Sequence, residues 1–250
     1  KSGSYHPSGW TDPKSGNFHG DATKKGLGMC KDCHGAALDG GSAGVSCNSC
    51  HSGWKTNCTF CHGGKDNNLG APPVDTKDQF DTTHTSVGAH TSHVTAKSKL
   101  SSPLDCVKCH VKPVDALSDG HIDPSPAEVD FAAWNHDTAI CSNLYCHGNF
   151  VGGNNANAPK WTVVNGTKAA CGTCHDLPPK TGKHPSNFGK HSFMGKNCSN
   201  CHNGFANDGA TQILQPDKHL NGAKDVSIKN GTWTASTKTC DPACHGAEKW

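Results

Sequence analysis

The sequence has little from which to build an ordinary protein core. Leu, Ile, Val and Phe number 10, 4, 12 and 8, about 14% of 250 residues, below the roughly 20% at which disorder becomes a fair prior. Apolar runs extend over only a few residues, so no stretch is long enough to span a membrane. No charged-then-apolar leader stands at Lys1, and the chain reads as a mature, soluble product. A formal charge of +2 supplies neither the basic footprint of a nucleic-acid binder nor an acidic tail. Ordering each residue costs about 1–2 kcal/mol of backbone entropy. Either the chain is largely disordered, or something that is not amino acid fills its interior.

What the sequence does have is 16 cysteines and 18 histidines. Every cysteine belongs to a close pair, and every pair is followed at once by histidine. The pairs are Cys30 and Cys33 before His34, Cys47 and Cys50 before His51, Cys58 and Cys61 before His62, and Cys106 and Cys109 before His110. Then come a stretched pair, Cys141 and Cys146 before His147, and the regular Cys171 and Cys174 before His175. Cys198 and Cys201 before His202, and a second stretched pair, Cys240 and Cys244 before His245, complete the set. Disulfides can use an even count but give no reason for the histidines. Zinc ribbons use C-x-x-C knuckles, yet take their other ligands from further along the chain. The haem c signature C-x-x-C-H explains all three residues: two thioethers hold the vinyl edges, and the adjacent imidazole is the proximal iron ligand. Eight matches out of eight by chance has odds on the order of one in a billion at this histidine frequency. The chain is therefore expected to carry eight covalent haems c. Only six residues separate His51 from Cys58, at most about 25 Å of extended chain, so the second and third haems should be neighbours.

Ten histidines lie outside these motifs: His6, His19, His84, His90, His93, His121, His136, His184, His191 and His219. An iron with one histidine keeps an open sixth site, whereas two axial ligands close it and favour electron transfer. Ten candidates can cover eight vacancies. The other axial residue, methionine, occurs only as Met29, beside Cys30, and Met194. His90 and His93 are three apart, on one side of a helical turn, and so suit two adjacent haems better than the two faces of one.

The second half echoes itself. Cys106–Phe150 and Cys198–Trp250 each run from a C-x-x-C-H, through a histidine soon followed by acid (His121 with Asp123, His219 with Asp225), to a stretched motif ending in C-H-G. The reading is a single octahaem unit, 1–250, with a three-haem sub-region at 1–66 and a five-haem sub-region at 80–250. Turn-rich connections are expected at Asn67–Asp78 and Gly148–Pro159. The expected fold is mostly irregular, with short helices around the motifs, little sheet, and a haem array as its core.

The segments "YHPSGW", "FHGDA", "CKDCHG", "GVSCNSCH", "VGAHTSHV", "SPLDCVKCHVKP", "GHID", "CSNLYCHG", "CGTCHDLPP", "KHP" and "KHLNGAKD" resemble those of the Geobacter-type multihaem cytochromes with C-x-x-x-x-C-H…C-x-x-C-H repeats, from bacteria that respire extracellular acceptors. The resemblance places the distal ligands at His6, His19, His90, His93, His121, His184, His191 and His219, leaving His84 and His136 as spares. The "CDPACH" spacing departs from the family pattern. The implied function is electron conduction, without catalysis, toward other redox proteins or extracellular acceptors, at the cell exterior rather than in the periplasm. The alternative is an octahaem reductase of oxyanions or nitrogen compounds, which needs one open iron. Head-to-tail self-association into a filament is also expected as compatible with conduction, with His6 ligating either its own chain or the next.

Overall fold

In the computed structural model, the structure describes residues 5–123, 126–130, 132–182, 184, 197–207 and 211–249. Three short α-helices appear among them: α1 (His19–Thr23), α2 (Gly28–His34) and α3 (His90–Val94). None is long or apolar enough to cross a membrane. Five short strands form two small antiparallel sheets: β1 (Trp134–Asn135) with β2 (Ile140–Cys141), and β3 (Gly231–Thr234), β4 (Thr239–Pro242) and β5 (Glu248–Lys249) in that order. The rest is turn and irregular chain, interrupted by single 3-10 turns.

This architecture follows from the composition. Among the described residues, Leu38 and Val87 are the larger side chains that are fully buried, while Tyr5, Val114 and Val151 stand almost wholly exposed. Without long apolar stripes there is nothing to hold long helices or wide sheets together. The backbone instead satisfies its polar groups locally, through turns and side-chain caps: the Ser46 hydroxyl accepts from Asn48 N–H, and the Asn57 amide oxygen accepts from Thr59 N–H.

The chain divides into two compact units, one of residues 1–90 with 106–130, the other of 91–105 with 131–250. Residues 67–78 fall within the first unit. Asn67–Asp78 folds onto the third motif within the first unit: Gly63 N–H donates to Val74 O, and the buried Asn67 amide donates to Ala71 O. Buried Asp75 accepts from Lys77 N–H, Gln79 N–H and the Ser86 hydroxyl. The fourth motif joins the same unit, where Ala116 N–H donates to Lys55 O at 2.7 Å. Polar groups buried with local partners make Asn67–Asp78 a packed, turn-rich loop.

Candidate functional site

In the regular motifs, sequence spacing becomes geometry through a single turn. The second, third, fourth and seventh motifs each open a 3-10 turn at the first cysteine, at Cys47, Cys58, Cys106 and Cys198, and the first motif lies within α2. His51, His110 and His202 each return their N–H to the carbonyl of the first cysteine, at 2.9, 2.8 and 2.9 Å. One helical turn puts residues three apart on one side, so both sulfurs face the same way with the histidine directly after. No disulfide joins any two of the sixteen cysteines.

The stretched motifs reach the same end differently. Their first cysteines lie on strands: Cys141 on β2 opposite Trp134 of β1, and Cys240 on β4 opposite Trp233 of β3. In both, tryptophan precedes cysteine by seven positions across a hairpin. A third segment follows in the same register, with Lys160 bridging Ile140 and Lys249 opposite Thr239. The sheet holds the first sulfur and a turn holds the second, so the intervening loop can be four residues in one and three in the other. This W…C…C-H-G…K-W recurrence, visible in the sequence at 134–161 and 233–250, escaped a reading that followed only cysteine and histidine.

The histidines meet in twos. In the first unit the ring centres of His6 and His34 are 6.0 Å apart, His19 and His51 5.8 Å, His62 and His121 6.3 Å, and His90 and His110 6.2 Å. In the second unit His93 and His147 are 6.3 Å apart, His175 and His219 6.4 Å, and His184 and His202 6.1 Å. Each pair joins one motif histidine to one of the histidines the resemblance picks out, and none is shared. His90 and His93, on one helix, face different motif histidines. His191 lies outside the described residues. His84 and His136 are exposed, and the His136 ring packs edge-on against Trp134. Among the described residues, no three His, Cys, Asp or Glu side chains gather as a protein-only metal shell would need.

Backbone carbonyls fix which nitrogen of these rings stays bare. Nδ1–H donates to Val45 O from His34, to Glu128 O from His110, to Asp176 O from His175, to Asp225 O from His202, and to Gly246 O from His245. His62 donates likewise to Gly70 O. Gly70 is held at φ +79° with no room for a Cβ beside Cys58. Across the pairs, His19 donates to Trp10 O, His90 to Val87 O, His121 to Ala116 O, His184 to Thr181 O, and His219 to Leu100 O. With Nδ1 carrying the proton, Nε2 is left as the metal-binding atom. Burial lowers the pKa of His62, His202 and His219, and pushes His147 down to about 4. These imidazoles are neutral at pH 7, the form that binds iron. Burial raises the Cys47, Cys61, Cys201 and Cys240 thiols.

These residues fit haem c. Two metal–imidazole bonds of about 2.1 Å end to end, with about 1.1 Å from nitrogen to ring centre on either side, separate collinear imidazoles by about 6.4 Å. Seven observed separations of 5.8–6.4 Å match that length within a few tenths of an ångström. The fifth and sixth motifs are also neighbours: Gly148, at φ +109°, has Cys174 O 2.9 Å from where a Cβ would stand. Asn154 N–H closes the approach by donating to the same carbonyl.

Residues 140–175, which hold this pair of motifs, match the model of the family described as the Geobacter CxxxxCH...CXXCH motif. The chain carries a Geobacter-type multihaem cytochrome motif. No curated protein and no solved structure matches the chain. The Geobacter motif is a haem-binding one; it supports covalently attached haem c and an electron-transfer role, and such attachment takes place outside the cytoplasm, which implies an exported protein. Beside this motif the structure adds tryptophans that a cysteine–histidine reading passes over. Trp10 stacks on His6 at 4.4 Å and offers its carbonyl to His19. Trp161 lies 5.5 Å from His93 and 6.2 Å from Trp134. The spacing His6-x-x-x-Trp10 was the available signal for the first of these.

Proposed function

We propose that the chain is an exported octahaem electron conductor in which every iron sits between two imidazoles. The single observation that carries this reading is the recurrence of seven exclusive histidine pairs, each joining a C-H motif to a histidine outside the motifs. The cysteines of the eight motifs hold the porphyrin edges. His34, His51, His62, His110, His147, His175, His202 and His245 serve as proximal ligands. His6, His19, His121, His90, His93, His219 and His184 are the distal ligands facing the first seven of these in turn, with His184 opposite His202. His191 is left by count for His245. A bound haem supplies a one-electron iron couple. The chain orients the rings, occupies both axial positions against competing ligands, and leaves no site for substrate on a paired iron. A reductase would need one unpaired iron, so conduction is the better reading.

The direction of conduction is toward redox partners or acceptors outside the cell, as in the bacteria whose cytochromes the motif resembles. End-to-end association of copies belongs to the same proposal. Because His6 faces His34 of its own chain, such association would proceed without a ligand exchanged between subunits. The reading is tested on purified holo-protein. Low-spin spectra and negligible carbon monoxide binding by the ferrous form are expected; one high-spin haem per chain would replace the conductor with the reductase.

A further inference from the structure

We propose that His147 gives the haem held by Cys141 and Cys146 the highest reduction potential in the chain, because its Nδ1 is buried without an acceptor. The inference rests on the ligation proposed above. Among the described residues, His147 is the only histidine with a buried ring nitrogen that lacks a partner. Six other motif histidines donate Nδ1–H to a backbone carbonyl, and half-buried His51 is left where water can serve.

The local chain path explains the exception. His175 and His245 each use the carbonyl of the next residue, Asp176 and Gly246. The corresponding carbonyl for His147 is that of Gly148, and it is taken by Phe150 N–H at 3.0 Å. The tight turn that lets Cys174 approach Gly148 thus engages the acceptor that the sixth and eighth motifs use.

Two effects then act in one direction. A donated Nδ1–H hydrogen bond makes the opposite nitrogen a stronger electron donor, which stabilises ferric over ferrous iron. His147 lacks that push. The surroundings are also dry and aromatic: Trp161 flanks His93, and the Trp134 indole nitrogen is itself buried without a partner. With two neutral imidazoles the ferric centre carries one net positive charge and the ferrous centre none, so burial favours the reduced form. Reduction adds one electron from an external donor such as dithionite; no bond breaks, and no proton is taken up at Nδ1.

The experiment is a stepwise redox titration of the holo-protein. In the wild type, followed by proton NMR, the haem methyls with nuclear Overhauser contacts to Trp161 should be the last of the eight sets to oxidise. Earlier oxidation of that set overturns the inference. The variant Cys141→Ser/Cys146→Ser/His147→Gly should contain seven haems and lack the highest-potential component. Seven haems with a different component missing would sink this inference and leave the ligation intact. Eight haems would sink the ligation itself. Should the variant not fold, the wild-type NMR result decides alone.

Discussion

Removing one distal histidine should open one iron and no other. His121 is the most informative position. Its ring centre lies 6.3 Å from that of His62, and it projects from a turn that Asp115 and Ser118 hold independently: Ser118 Oγ accepts from Asp115 N–H, and the Asp115 carboxylate from Leu117 N–H. Its ring is linked to that turn by a bond to Ala116 O at 3.2 Å, while its backbone N–H donates to Ser118 O at 3.1 Å and does so whatever the side chain. His121→Ala therefore leaves the loop in place and vacates one axial position. Because the pairs share no histidine, the effects should add. Carbon monoxide binding should rise from near zero to one iron in eight, and to two in eight with His19→Ala added. The assay is optical titration of the dithionite-reduced protein with carbon monoxide, read against total haem. Exogenous imidazole should restore the low-spin spectrum, since it refills the vacated position without repairing the backbone. If His121→Ala leaves carbon monoxide binding at baseline, or opens more than one iron, the pairing of His62 with His121 is wrong.

The spare histidines supply the converse: His84→Ala and His136→Ala should leave both haem count and carbon monoxide binding unchanged, as mass spectrometry and the same titration will show. Leu38 is fully buried, and its carbonyl receives Cys47 N–H, so Leu38→Ala should cost about 2–5 kcal/mol in chemical denaturation. Acid should loosen the fold. His62, His147, His202 and His219 have folded pKa values below their ordinary value, so the unfolded chain takes up protons first; their contribution is full above about pH 6.5 and falls away as the pH drops, for His147 through about pH 4. Protons compete with iron for the same nitrogens and act with the same sign, so a low-spin to high-spin change in the Soret band should accompany the loss. Finally, sixteen propionates should bring the ferrous holo-protein to a net charge of about −14; migration toward the cathode at pH 7 would contradict this.

The chemistry of the site was largely legible in the sequence because it is written in local spacing. A C-x-x-C-H closes on itself within one turn, and the loop-rich fold follows from the scarcity of aliphatic residues. What the sequence does not display is which distant segments meet. His219 donates to Leu100 O, 119 residues away, and His110 to Glu128 O, 18 away; no periodicity reports such contacts. The division of the chain is hidden for the same reason, since residues 91–105 pack with one unit and 106–130 with the other. The strands under Cys141 and Cys240 were missed on different grounds. With two to four residues each, they are too short to show alternation, and their signal is one tryptophan seven positions upstream.

Those two cysteines carry a consequence for how the protein is made. Cys141 and Cys240 are only 9% and 7% exposed, the two buried members of the sixteen. Thioether formation needs the sulfur in reach of a vinyl group and of whatever enzyme presents it, so on the proposed attachment these bonds would form before their hairpins close for good. Hairpins close in about 1–10 μs, far faster than covalent assembly. An isolated two-stranded hairpin, however, is marginally stable at best in water, and β1 pairs with β2 over two residues only. The weakness of the β1–β2 pair would leave Cys141 open until the cofactor arrives, and attachment would then remove the option of reopening. Maturation of the first stretched motif would in this sense be a ratchet, and a substitution that strengthened its hairpin would be expected to yield a better-folded apoprotein and a poorer cytochrome.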